Sequence, residues 1–160
     1  MAQDITLPVE DGYFNLRVGA IILKDGKVLM VGNDAEDYLY SVGGRVQFGE
    51  SLEDAVRREV REETGTALEI DRLGFVQEDF FLCDLPDKYG KVIHELGFYF
   101  YMKTPEDFEP VCHSWAANGS EERLVWMPLD RERPAFPAFF FSELSHPAPS
   151  VRHIVTQELP

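Results

Sequence analysis

Residues 43–66 read GGRVQFGESLEDAVRREVREETGT, and this run constrains the chain more than any other. On a helix over Ser51–Thr64, turning about 100° per residue, Leu52, Ala55, Val56 and Val60 fall on one side. Glu59 and Glu63 continue that side, Glu62 lies just off its edge, and Glu53, Asp54, Arg57 and Arg61 point to water. The inward stripe therefore starts apolar and ends in carboxylates. Like charges facing inward repel and lose hydration. A divalent cation removes the conflict: hard oxygen ligands at helical spacing suit Mg²⁺ or Mn²⁺, with water and substrate phosphates completing the shell. The competing reading is a solvated helix laced by Glu–Arg pairs at three- and four-residue spacing. The continued stripe and the preceding Gly-rich loop weigh against it.

The order of residues is also specific. Gly44, five residues, Glu50, seven residues, then Arg58-Glu59-Val60-Arg61-Glu62-Glu63-Thr64-Gly65 resembles the signature of the Nudix hydrolase family, with eight fixed positions matched over 23 residues. Thr66 stands where that family prefers a bulky apolar residue. Gln47 replaces a frequent Glu and Val42 a frequent Pro. The resemblance implies a mixed sheet between helices, an α/β/α sandwich in which the box forms a loop–helix–loop. It also implies hydrolysis of a nucleoside diphosphate linked to another group.

Carried over position by position, the resemblance makes Glu59, Glu62 and Glu63 metal ligands, with Glu50 as an outer or second metal contact. Gly44 becomes the glycine beside the metals, where backbone must approach closely. Arg58 becomes an orienting ion-pair partner of Glu50 and Glu62. Bound Mg²⁺ (or Mn²⁺) would neutralise the diphosphate and lower the pKa of a water. In this family the general base is a box glutamate or one from a distant loop; here Glu95 beside His94, and Glu121 or Glu122, are the candidates.

Substrate selection falls outside the box. Phe14, Tyr38, Tyr40, Phe80, Phe81, Tyr89 and Trp115 are candidates to stack on a base. Arg17, Arg45 and Lys91 are candidates to meet phosphate. Elements marking NADH pyrophosphatases, coenzyme A hydrolases or ADP-ribose hydrolases are not evident, which leaves the leaving group unassigned. Three functions stay open. The preferred one is a pyrophosphohydrolase of a nucleotide-sugar or ADP-ribose-like substrate. The others are a housekeeping hydrolase of nucleoside triphosphates and a ligand-sensing domain without catalysis.

The 160 residues suffice for one domain with one sizeable core, the first 12 forming a loose lead-in. A formal net charge of −14 argues against polymeric nucleic acid and anionic membrane as partners. Cys83 and Cys112 lack metal-type spacing and fit free thiols. No basic-then-apolar leader and no run of about 18 apolar residues occurs, so the expected location is cytoplasmic. The resemblance allows a homodimer.

Along the chain, strands are expected over Phe14–Lys24 and Lys27–Val31, joined by an Asp25-Gly26 turn, then Tyr38–Val42, one or two strands over Ala67–Phe81 with interruptions near Asp71 and Gly74, and Val92–Met102 and Leu124–Met127. Ser51 is read as the N-cap of the box helix and Gly65 as its C-terminal glycine. Pro137–Leu144 is a candidate helix, and Ser150–Gln157 is of open type. The pattern alone gives an α+β or α/β fold with a mixed sheet.

Overall fold

Side-chain alternation in three long strands sorts the apolar residues into two cores. The computed structural model describes residues 2–111 and 119–160. In β2 (Gly12–Ile21), Val18 and Ala20 enter one core and Ile21 the other. In β4 (Lys27–Asn33), Leu29 and Val31 face the first core, and Val28 and Met30 the second. In β7 (Val92–Met102), Phe98, Phe100 and Met102 oppose Tyr99 and Tyr101 in the same way. A strand apolar on both faces must be covered on both faces. The first face is covered by α1 (Leu52–Thr64), through Ala55, Val56 and Val60; the second by α2 (Phe139–Glu143), through Phe140. The result is the expected layered α/β arrangement around a mixed sheet.

Among the described residues there are ten strands and these two helices. The others are β1 (Thr6–Val9), β3 (Leu23–Lys24), β5 (Leu39–Arg45), β6 (Ile70–Leu82), β8 (Glu122–Pro128), β9 (Ala135–Phe136) and β10 (Arg152–Gln157). The order across the sheet is β10-β6-β7-β2-β5-β4-β3, with β1 on β2, β8 on β4 and β9 on β5. The pairs β2/β7, β6/β10 and β5/β9 are parallel, and the rest antiparallel. Asp25 (φ 52°) and Gly26 (φ 73°) make the tight turn between β3 and β4 that their sequence predicted.

Helix α1 has 13 residues, a length that is marginal in isolation. Fully burying each valine stabilises it by about 1.5–3 kcal/mol, so packing rather than propensity holds it. Ser51 Oγ accepts from the Asp54 N–H at 3.1 Å, and Gly65 (φ 72°) closes the last turn on the Arg61 carbonyl. Two sequence expectations change. The lead-in is not loose: residues 6–9 pair antiparallel with β2, and the Ile5 N–H reaches the Val46 carbonyl at 2.8 Å. Pro8 hides this strand from pattern reading, and β1 tolerates it as an edge strand. In the open segment 150–157, Arg152–Gln157 forms a strand parallel to β6.

Candidate active site

The box helix meets the sheet at a pair of glycines. Gly43 (φ 149°) lies against β2, where a Cβ would fall 2.2 Å from the Val18 carbonyl oxygen. A Cβ on Gly44 would stand 2.5 Å from Glu59 Oε1. The Gly43 backbone N–H lies toward the Glu63 carboxylate and favours its charged form. Bare backbone at these two positions lets Glu59 and Glu63 reach a cleft of about 800 Å³, which Arg17, Tyr40, Arg45, Glu95 and Glu122 also line.

Burial sets the electrostatics. Glu63 is 8% exposed, and its Oε2 has no hydrogen-bond partner. Burial first, then Glu59 and Glu122, hold its pKa well above the ordinary carboxylate value, against the pull of Arg17. Burial also raises Glu59, partly countered by its hydrogen bond to Arg58. Burial works against the Arg17 charge, but Tyr99, Glu95, Glu63 and Glu59 surround it and its pKa is raised on balance. Arg17 donates to the Ser41 carbonyl at 3.3 Å and to Ser41 Oγ at 3.4 Å. Beside it Tyr99, pushed up to about 12 mainly by burial, packs where Cβ atoms on Gly19 and Gly97 would stand 2.4 and 3.0 Å from its ring.

Behind this edge Arg58 ties the box together. Its Nη2 and Nε donate to Glu50 at 2.6 and 3.1 Å, its Nη1 to Glu59 at 2.7 Å and to Glu62 at 3.4 Å, and its Nη2 also to the Arg45 carbonyl at 3.1 Å. The Glu50 hydrogen bonds raise the Arg58 pKa, and the same contacts lower that of Glu50. A forked guanidinium with several charged acceptors is a strong positioning device.

The structure brings Gly44, Glu59, Glu63, Arg17, Arg45, Tyr40 and Glu95 to one cleft. Glu50 instead sits behind Arg58, and the Glu62 side chain is 58% exposed. Phe80 is placed differently from its expected role. Strand alternation turns it away from the face of Asp79 and Phe81, and it stacks on His94 at 4.3 Å, with Phe14 edge-on to the same ring. Phe81 lines the cleft in its stead, as does Tyr38. Lys91 pairs with Asp11, and Tyr89 is exposed in the β6–β7 loop. Trp115 and Cys112 lie outside the described residues. Among the described residues, no helix is long and apolar enough to cross a membrane.

Sequence reasoning missed Gln77 and Asp79 of β6, both lining the cleft. Their signal was the polar interruption of an otherwise apolar strand. Reading it required the register with β7.

A divalent ion suits these residues on two observations: the orphaned, buried oxygen of Glu63, and the carboxylate of Glu59 seated where Gly44 has no side chain. The available donors are carboxylate oxygens, the hard type that Mg²⁺ and Mn²⁺ take. Among the described residues no three acidic, His or Cys side chains are gathered into one metal-holding cluster. Arg58 instead pairs with Glu59 and reaches Glu62.

Carboxylates beside a buried arginine, with glycines opening a sheet to them, are groups that suit a phosphate-bearing ligand and a divalent ion. The chain belongs to the Nudix family: the NUDIX domain model matches residues 14–142. It is a pyrophosphohydrolase, and that family generally requires a divalent metal. No curated protein matches the chain. Among solved structures it is similar to a MutT NUDIX hydrolase from Burkholderia pseudomallei, with 27% identity, 78% of this chain and 92% of that one covered, and a TM-score of 0.59. A MutT protein from Bacillus halodurans gives 18% identity, 91% coverage of both chains and a TM-score of 0.64. An ADP-ribose pyrophosphatase from Streptococcus suis gives 17%, 88% and 98% coverage, and 0.58.

Proposed function

We propose that this protein is a Mg²⁺- or Mn²⁺-dependent hydrolase that cleaves the diphosphate of a nucleoside diphosphate linked to a further moiety, of the nucleotide-sugar or ADP-ribose-like class. The observation that carries this reading is the meeting of Glu59, Glu63, Arg17 and Arg45 in one cleft of about 800 Å³. The ion would be held by Glu59 and Glu63, with Glu62 joining once released from Arg58. When bound, it supplies charge neutralisation of the diphosphate and a more acidic water.

The chain's own residues divide the remaining work. Arg17 and Arg45 attract and orient the phosphate oxygens from the sheet. Arg58 holds Glu50 and Glu59 in place from behind. Tyr40, hydrogen-bonded to Glu122, fixes that carboxylate near Glu63, where it stands ready to accept a proton from water. Glu95 lies on the other side of Arg17, bound to Asn15. We assign the base role to Glu122 ahead of Glu95 because Glu122 presses electrostatically on Glu63. Tyr38 and Phe81 are placed to pack on a nucleobase. The substrate acts as a small molecule free in the cytoplasm, and a homodimer is compatible with this reading.

The test is a screen of nucleotide derivatives with Mg²⁺ and identified products. Two monophosphate-ended products support the reading. Release of inorganic pyrophosphate from nucleoside triphosphates alone would overturn it in favour of triphosphate hydrolysis. No metal-dependent turnover at all would leave a ligand-sensing domain.

A further inference from the structure

Arg17 and Tyr99 share a square of four residues with two glycines. Strands β2 and β7 run parallel, with Arg17 beside Gly97 and Gly19 beside Tyr99, all on one face of the sheet. The two large side chains hold one diagonal and the glycines the other. Tyr99 leans across the empty corners. A Cβ on Gly19 would stand 2.4 Å from Cδ1 and 2.5 Å from Cε1 of its ring. One on Gly97 would stand 3.0 Å from Cε2 and 3.6 Å from the hydroxyl oxygen. The hydroxyl end of the ring is therefore carried toward Gly97, the register partner of Arg17. Tyr99 is only 3% exposed, yet it lines the cleft together with Arg17 and Ser41.

On its other flank Arg17 meets Ser41, through Nη2 at 3.3 and 3.4 Å. Both hydrogen bonds are longer than the usual value of about 2.9 Å, and both come from a single guanidinium nitrogen. They are weak restraints on a long, flexible side chain. Tyr99 supplies a second wall, and that wall is itself held. Phe139 and Phe140 of α2 meet its ring edge-on, at 5.5 and 5.7 Å between centroids. The phenol is also neutral, since burial pushes its pKa up to about 12. A carboxylate in its place would cancel the positive charge that phosphate seeks. A neutral hydroxyl directs the guanidinium and leaves that charge available.

We propose that Tyr99 is a positioning residue: clamped by Phe139 and Phe140 of α2, it holds the Arg17 guanidinium against Ser41 at the angle from which it meets a phosphate oxygen. The proposal rests on the reading above in which Arg17 binds the diphosphate, and it extends that site to a tyrosine and a helix outside the box. It also gives Gly19 and Gly97 a purpose. A side chain at the first would displace the ring, and one at the second would crowd its hydroxyl edge.

The experiment measures binding of inorganic pyrophosphate to the full chain with Mg²⁺ by calorimetry, beside the hydrolysis screen. Tyr99→Phe keeps the ring and removes the hydroxyl. Its affinity for pyrophosphate should fall about 10-fold, the size of one hydrogen bond to a charged group, with the Mg²⁺-induced melting shift kept. In the Arg17→Lys background, where the planar fork is gone, the same change should cost less than about 2-fold. A merely structural tyrosine would cost the same in both backgrounds. Gly97→Ala, which crowds the ring, should weaken binding in the same selective way, and it replaces Tyr99→Phe if that variant fails to fold. Unchanged affinity, or an equal loss with arginine and with lysine at position 17, would overturn the role of Tyr99 while hydrolysis of a nucleoside diphosphate derivative upheld the wider reading. The selective loss without hydrolysis of any such derivative would overturn the hydrolase reading and leave Tyr99 in its role. No pyrophosphate binding by the wild type would overturn both.

Discussion

The Glu59 carboxylate occupies the space that a side chain on Gly44 would need: a Cβ there would stand 2.5 Å from Oε1 and 2.8 Å from Oε2. The obstructing atoms are the tip of a flexible side chain, not backbone. Gly44→Ala should therefore fold with little loss of stability yet displace the carboxylate. Turnover with Mg²⁺ is expected to fall roughly 100-fold, because a misplaced ligand loses its effect on the reacting phosphate. Steady-state kinetics beside a thermal melt checks this, and a large melting shift with normal specific activity would refute it.

Glu63→Gln keeps the shape of a buried side chain and removes its charge. Wild-type protein should gain melting temperature on addition of Mg²⁺, as any ligand that binds only the folded state stabilises it. The variant should lose most of that gain and at least roughly 100-fold in kcat, as should Glu62→Gln in turnover. Glu53→Gln is the control, since Glu53 is exposed and pairs with Arg57 on the outer face of the helix. If Glu63→Gln shows the full Mg²⁺ shift, Glu63 holds no ion.

Arg58 spends its fork on Glu50, Glu59 and the Arg45 carbonyl. Hydrogen bonds between charged groups in partly buried settings contribute about 1.5–3 kcal/mol each, so Arg58→Ala should lose at least about 2 kcal/mol of stability. Arg58→Lys should recover only part of this, because a compact ammonium lacks the planar fork that pairs with Glu50 through two nitrogens while reaching Glu59. Denaturant melts of both variants decide it, and full rescue by lysine would show that charge alone matters.

Asp79 supplies a pH signature. Its folded carboxyl keeps its proton up to about 7, against an ordinary value of 3.8. Below the ordinary value both states are protonated and the group is silent. As pH rises from about 4 to about 7, the unfolded chain ionises first, so stability is lost across that window and stays lost above it. Asp79→Asn lacks this loss. Its melting temperature relative to wild type should climb from pH 4 to 7 and then level off; a difference that shrinks over that range would refute the assignment.

What could be read from the chain beforehand was whatever is written locally. The box helix, its Ser51 and Gly65 ends and the buried turn of Glu59 and Glu63 follow from spacing along one element, and they are where spacing puts them. Strand β7 likewise announced its ends. The losses came where two strands must be aligned. Phe80 and Phe81 are equivalent as residue types, and only the pairing of β6 with β7 decides which one sees the cleft. Asp79, Gln77 and Asn15 became visible for the same reason. β1 and β9 carry too few residues, and in β1 a proline, to show a period at all.

The opening at Gly43 and Gly44 has a mechanical consequence. Val56 and Val60 are wholly buried on the face of the sheet opposite Arg17 and Tyr99, and they set how deeply α1 seats. Glu59 and Glu63 ride on that same helix and pass through to the reacting side. The hydrophobic interior thus serves as the alignment jig for the charged groups. Shaving a methyl from Val60 should register as slower turnover before it registers as unfolding, which makes catalytic rate a gauge of how tightly this helix is bedded.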